Sequence, residues 1–284
     1  MAIPILHFWE KYFTNPDEGL GSTYERFIIN DVLFKAIKHY RIKSVLETPS
    51  FGFTGLSGIN SLGIALKNIP VTINDSNEHR LDLIKSVWSE FNTDIKFDLV
   101  KDFNSLPYLD NSFDMSWNFS ALWFVNDLNE FLLELSRVSR KVILIMVPNT
   151  TGLGYLHQKY TGSDDLKTLL NQEYIQPSNF INPLQKRGWK LMFDSLIDCP
   201  LWPDIGMSKE DFIKKIRIGR LPNVKCRMKN VKCKKGLSIL DYYSEKDLNM
   251  RDRLLKLNHF ERHAPSLFKK IWAHHHYYLF LNVK

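Results

Sequence analysis

At 284 residues, 44% apolar and 24% charged, the chain has ordinary globular composition and is long enough for one large core or two modest ones. No run reaches the 18 apolar residues of a membrane span: VILIMV (142–147) and ALWFV (121–125) are far too short. The net charge of +7 is uneven, because residues 201–284 hold 19 Lys+Arg against 8 Asp+Glu and the rest holds 19 against 23.

The leading MAIPILHFWEKYF has no basic lead, no long apolar stretch and no small-residue cleavage site, so a soluble cytoplasmic protein is expected. The three cysteines, Cys199, Cys226 and Cys233, make no disulfide framework, and six residues separate the close pair, which is not a zinc-knuckle gap. Reduced thiols are expected. The sequons at Asn118 and Asn149 carry no weight without a secretion signal.

In chain order, STYERFIINDVLFKAIKHY (22–40) opens on a Ser22-Thr23 cap with Glu25 and then runs periodically as a helix, part of an N-terminal helical cap over 1–42. KSVLET (43–48) is a strand, SGINSLGIALKN (57–68) a helix, PVTIND (70–75) a strand and NEHRLDLIKSVWSEF (77–91) a helix. FDLVKD (97–102), FDMSWNF (113–119) and KVILIMVPN (141–149) add three strands. Between the last two, DLNEFLLELSRVS (127–139) has apolar positions at 128, 131, 132, 135 and 138, one face of a helix. SNFINPLQKRGWKLMFD (178–194) reads as a helix, shortened by Pro183, that turns at Gly188 into a strand. Residues 195–265 form a basic insertion, and IWAHHHYYLFLNV (271–283) within 266–284 is the closing strand of a core spanning 43–194. The alternation predicts an α/β fold, a doubly wound and mostly parallel sheet with helices on both sides.

Such a sheet binds its ligand beyond the carboxyl ends of its strands, where the first strand passes through a glycine turn. Here that stretch is VLETPSFGFTG (45–55), and Gly52, Gly55 and Gly58 recur every third residue, unlike the G-x-G-x-x-G of dinucleotide enzymes. Asp75 closes the second strand 20 residues past Gly55, where a carboxylate accepts the hydroxyls of a ribose. Asp102 closes the third, with Phe103 next to it: an acceptor for an exocyclic amine and a ring to pack on an adenine.

With LPYLDNSFDMSWNFSALWFV (106–125) following, residues 40–194 and the final strand resemble the class I S-adenosylmethionine-dependent methyltransferases, particularly small-molecule members with a VLDxGxGxG first motif and an LPFxDxSFDxV fourth strand. The resemblance implies a seven-stranded Rossmann-like sheet with an antiparallel last strand, and S-adenosylmethionine as cofactor. It places Glu47 near the cationic methionine portion, Gly52 and Gly55 in the turn, Asp75 at the ribose, Asp102 and Phe103 at the adenine, and Asn118 at the methyl-bearing end. The chain departs from the family between Glu47 and Gly55, where Thr48-Pro49-Ser50-Phe51 replaces the first glycine and two residues are added, so the loop is expected to take another path. The cofactor's single carboxylate suits helix-start N–H groups around Leu56–Ile59.

The implied activity is methyl transfer to a small or anionic acceptor, with His7, Tyr155 and His157 as candidate bases. A non-catalytic module of the same fold, docking on RNA, anionic lipid or protein through the basic run Lys214–Lys235, is the alternative. That run has no aromatic residues for stacking on bases. A nicotinamide-dependent oxidoreductase is a third reading, against which the glycine spacing and a closing antiparallel strand count. No metal is expected, because strand alternation parts His275 from His274 and His276, and the pair His259 and His263 has no third ligand.

Overall fold

The computed structural model describes residues 8–52, 55–161, 169–202 and 237–283; His7 and the run Lys214–Lys235 lie outside them. Seven strands form one sheet in the order β3-β2-β1-β4-β5-β7-β6. Strands β1 (Val45–Glu47), β2 (Val71–Asp75), β3 (Ile95–Leu99), β4 (Phe113–Phe119) and β5 (Ser139–Pro148) are parallel. Strand β7 (His275–Asn282) lies antiparallel between β5 and β6 (Trp189–Ile197), as the resemblance implies. That insertion is not the all-parallel six-strand order of dinucleotide-binding oxidoreductases.

Successive strand residues point to opposite faces and so feed two cores. On one face, Val45, Ile73, Met115 and Trp117 pack with Tyr24, Phe27 and Leu33 of helix α1 (Gly19–Tyr40) and with Ile64 of α2 (Leu62–Ala65). Ile84 and Trp88 of α3 (Glu78–Trp88) join the same cluster. On the other face, Leu46, Phe113, Ile143 and Ile145 meet α4 (Leu128–Val138). Asp127 caps α4 by accepting from the N–H groups of Asn129 and Glu130, and its whole apolar stripe is buried.

Four local expectations change. Helix α1 starts at Gly19, whose N–H donates to Asp17 Oδ1, rather than at Ser22. The helix expected over 57–68 shrinks to α2, because Gly58 takes a left-handed φ of 71° and the Ser61 N–H is drawn to the Glu47 carboxylate. After α5 (Leu153–Thr161), helix α6 (Pro177–Lys186) runs through Pro183 without shortening, since burial of Phe180 and Leu184 outweighs the lost backbone bond. Past β6 come α7 (Ile239–Tyr243), α8 (Met250–Leu255), α9 (His259–His263) and α10 (Ser266–Trp272). The closing strand begins only at His275, because residues 271–272 finish α10 and Asn149 Nδ2 donates to the carbonyls of Lys270 and Ala273. Among the described residues no helix is long and apolar enough to cross a membrane.

Candidate functional site at the strand tips

Glu47 ends β1 and is buried. Its Oε2 accepts from Ser61 Oγ at 2.6 Å and from the Ser61 N–H at 3.1 Å, and Asn60 Nδ2 lies 3.4 Å from Oε1. Burial pushes its pKa up to about 7 against those hydrogen bonds. The residues after it continue the sheet instead of opening a turn: the Thr48 N–H donates to Trp117 O at 2.9 Å and the Ser50 N–H to Asn74 O at 3.1 Å. The loop then lies down on the tip of β4, so tightly that a Cβ on Gly52 would stand 2.0 Å from Phe119 O. Phe51 runs from the Arg80 guanidinium, 3.8 Å from its ring centroid, to Phe124, 5.0 Å between centroids.

Asp75, the residue placed at a ribose, is already bonded. The buried Arg80 Nε donates to it at 2.8 Å and the buried Ser50 Oγ at 3.1 Å, and the half-buried Asn77 N–H donates at 2.8 Å. A ribose must compete with a buried guanidinium for this carboxylate. Asp102 does not close the third strand, which ends at Leu99; it lies three residues farther on, exposed, with its Oδ1 accepting from the Asn104 N–H. Phe103, expected to face an adenine, is instead buried edge-on against Phe131 in the second core, 6.4 Å between centroids.

One row of polar groups is only partly satisfied, with Asn74 Nδ2 donating to the Tyr108 hydroxyl at 3.4 Å. Ile73, Glu47 and Trp117 are in register across β2, β1 and β4, so Asn74, Thr48 and Asn118 form the next row and face the other side of the sheet. Thr48 Oγ1, Asn74 Oδ1, both amide atoms of Asn118 and the nearby Ser120 Oγ are buried without a hydrogen-bond partner. Outside Phe51 an open groove of about 670 Å³, lined by Ser76, Asn77, Arg80, Lys101 and Phe124, starts at the tips of β2 and β3.

Glu18 carries no signal in the sequence. From the turn before α1 its carboxylate accepts the Leu56 N–H at 2.7 Å and Arg26 Nε at 2.8 Å, and it lies against Gly55. Arg26 also donates to Leu56 O at 2.7 Å. A carboxylate does sit on the N–H group expected to hold one, but it is the chain's own, and no helix starts there. No local pattern marks such a residue, since Glu18 and Leu56 are 38 positions apart. Of the candidate bases, Tyr155 is half-buried against the second core, which raises its pKa, and His157 is exposed on α5.

A family model described as "Methyltransferase domain" matches residues 55–145. The YcgJ protein of Bacillus subtilis is similar in fold, with a TM-score of 0.50 at 14% identity over 90% of this chain and 99% of that one. So is a candidate sarcosine dimethylglycine methyltransferase from Galdieria sulphuraria, with a TM-score of 0.52 at 12% identity over 89% and 84%. No curated protein matches the sequence.

Proposed function

We propose that the chain is a class I S-adenosylmethionine-dependent methyltransferase that transfers a methyl group at the tips of β1, β2 and β4, a reading supported by the methyltransferase-domain match over residues 55–145 and by the shared fold. The observation that carries this reading is the row of orphaned buried polar atoms on Asn74, Thr48, Asn118 and Ser120. Buried polar groups without partners cost about 1–3 kcal/mol each, and this row lies where the strand order reverses, the position at which open α/β sheets take ligands.

The residues fit such a cofactor at that row and at Glu47, and disagree with it at Asp75 and Gly52. When bound, the cofactor supplies an electrophilic methyl carbon on a sulfonium. The chain's part is to hold and orient the reactants and to keep water out. Asn118 and Thr48 offer amide and hydroxyl groups at the tips of β4 and β1. Glu47, titrating near pH 7, offers a carboxylate to a cation. Arg26 and the Leu56 N–H make a seat for a ligand carboxylate once Glu18 leaves it. Access requires Phe51 and Gly52 to lift away from Phe124 and Phe119. Tyr155 stays protonated at neutral pH and acts as a donor, which leaves His157 as the base among the described candidates. The excess of 11 positive charges in residues 201–284 favours an anionic acceptor.

Calorimetry on the full chain tests this reading. Saturable uptake of S-adenosylmethionine and of its demethylated product is expected, weakened about tenfold by Asn118→Ala, the size of one or two lost hydrogen bonds. No saturable uptake of either overturns it.

The closed Gly52 loop and the Asp75–Arg80 pair favour a second reading, a non-catalytic module that docks through its basic third. Polyanion binding that falls steeply with salt, in a chain that takes up no S-adenosylmethionine, is its signature.

A further inference from the structure

Three residues far apart in the chain meet beside Phe119: Glu25 on α1, Asp198 just past β6, and His275 at the start of β7. All three are buried, at 5%, 2% and 5% exposure. His275 Nδ1 lies 3.6 Å from Glu25 Oε2 and 3.5 Å from Asp198 Oδ2. Both separations are longer than an N–H···O hydrogen bond, and Nδ1 has no hydrogen-bond partner. The ring thus lies between two carboxylates, at ion-pair separation from each and without a hydrogen bond to either. One donor atom from each of the three residues lies within 4.8 Å of the others. A cation bonded at about 2.0–2.4 Å to each donor spans such separations, whereas a proton serves only one pair of atoms at a time.

The surroundings have the form of a supported ligand set. His274 Nδ1 is 2.8 Å from Asp198 Oδ2, where a partner fixes the orientation of a ligating carboxylate. The His275 ring also packs on Phe119, 4.6 Å between centroids, which limits its rotation. The chemistry of the donors selects the ion. One imidazole and two carboxylates suit a divalent first-row transition ion, while calcium and magnesium prefer oxygen alone. Strand alternation argues against a site made of the three consecutive histidines, and His276 indeed turns to Asp194 on the exposed side. It does not exclude a single histidine that meets acids from two other elements.

We propose that Glu25, Asp198 and His275 form a binding site for a divalent transition ion of the zinc or manganese class. The bound ion ties α1 to the place where β6 ends and β7 begins. The site does not depend on the methyl-transfer reading, and Phe119 stands between it and the Gly52 loop.

The test uses full-length protein stripped with a chelator and titrated with zinc against a competing indicator. One zinc per chain is expected, with a raised unfolding temperature. Asp198→Asn and His275→Gln each weaken binding at least about tenfold, as loss of a ligand must if loss of outer partners alone costs 10–100-fold. His259→Gln, in the other histidine pair, leaves it unchanged. Absence of stoichiometric zinc, or zinc binding that survives His275→Gln, overturns the proposal. If those variants do not fold, zinc-edge X-ray absorption on the unaltered protein decides: one imidazole with oxygen ligands supports the site, and sulfur or several imidazoles overturns it.

Discussion

Among the described residues, Glu47 and Glu261 are the two glutamates that burial pushes to a pKa of about 7. Each accepts a backbone N–H, Glu47 from Ser61 and Glu261 from Cys199 at 2.6 Å, yet desolvation outweighs these bonds. An unfolded glutamate titrates near 4.3, so between about pH 4.3 and pH 7 the native state binds more protons than the unfolded chain. Stability therefore falls as pH rises through that window, by about 4 kcal/mol for each residue. Urea midpoints between pH 4.5 and pH 8 should show the fall, and Glu47→Gln and Glu261→Gln should each flatten it. Glu18 neutralises the Arg26 guanidinium in the interior. Glu18→Ala leaves that guanidinium unpaired and should cost about 3–5 kcal/mol in urea denaturation. If Glu18 occupies the seat of a ligand's carboxylate, S-adenosylmethionine should recover more stability in this variant than in the unaltered chain.

The elements differ in how openly the sequence declares them. Helix α4 is legible because its capping Asp127 and its buried residues Leu128, Phe131, Leu132, Leu135 and Val138 lie within one short stretch. Helix α2 is misread because what shortens it comes from elsewhere: Glu47 takes Ser61, and Ile84 sits where a side chain on Gly58 would be. The first loop is half legible. The two added residues signal a changed path, but not that the path follows the ladder past Thr48 and Ser50 and settles on Phe119. Gly52→Ala should displace this loop, since the new Cβ has only 2.0 Å to Phe119 O, and should lower stability by about 1–3 kcal/mol in thermal unfolding.

At the scale of the whole molecule, the last strand holds the sheet together. β7 comes from the end of the chain yet lies between β5 and β6, so β6 reaches the rest of the sheet only through it. Phe280, fully buried in β7, belongs to the core beneath α4 and α6. Phe280→Ala should cost about 3–5 kcal/mol, and calorimetry should still show one cooperative transition, because no part of this sheet has a core of its own.

By itself the sequence determined the class of fold and the order of strands and helices, because these follow from periodicity and caps within short windows, while the antiparallel close followed from the resemblance of its motifs to a known family. Only the tertiary structure decided which polar groups at the strand tips remain open. Asp75 is bonded to Arg80, Phe103 turns into the core, and Glu18 reaches the Leu56 N–H, whereas Asn118 and Thr48 are left without partners. The physical reason is that a carboxylate's pattern in sequence is the same whether a ligand or a neighbouring guanidinium will bond to it. Which of them does so depends on groups that the chain brings together from far apart.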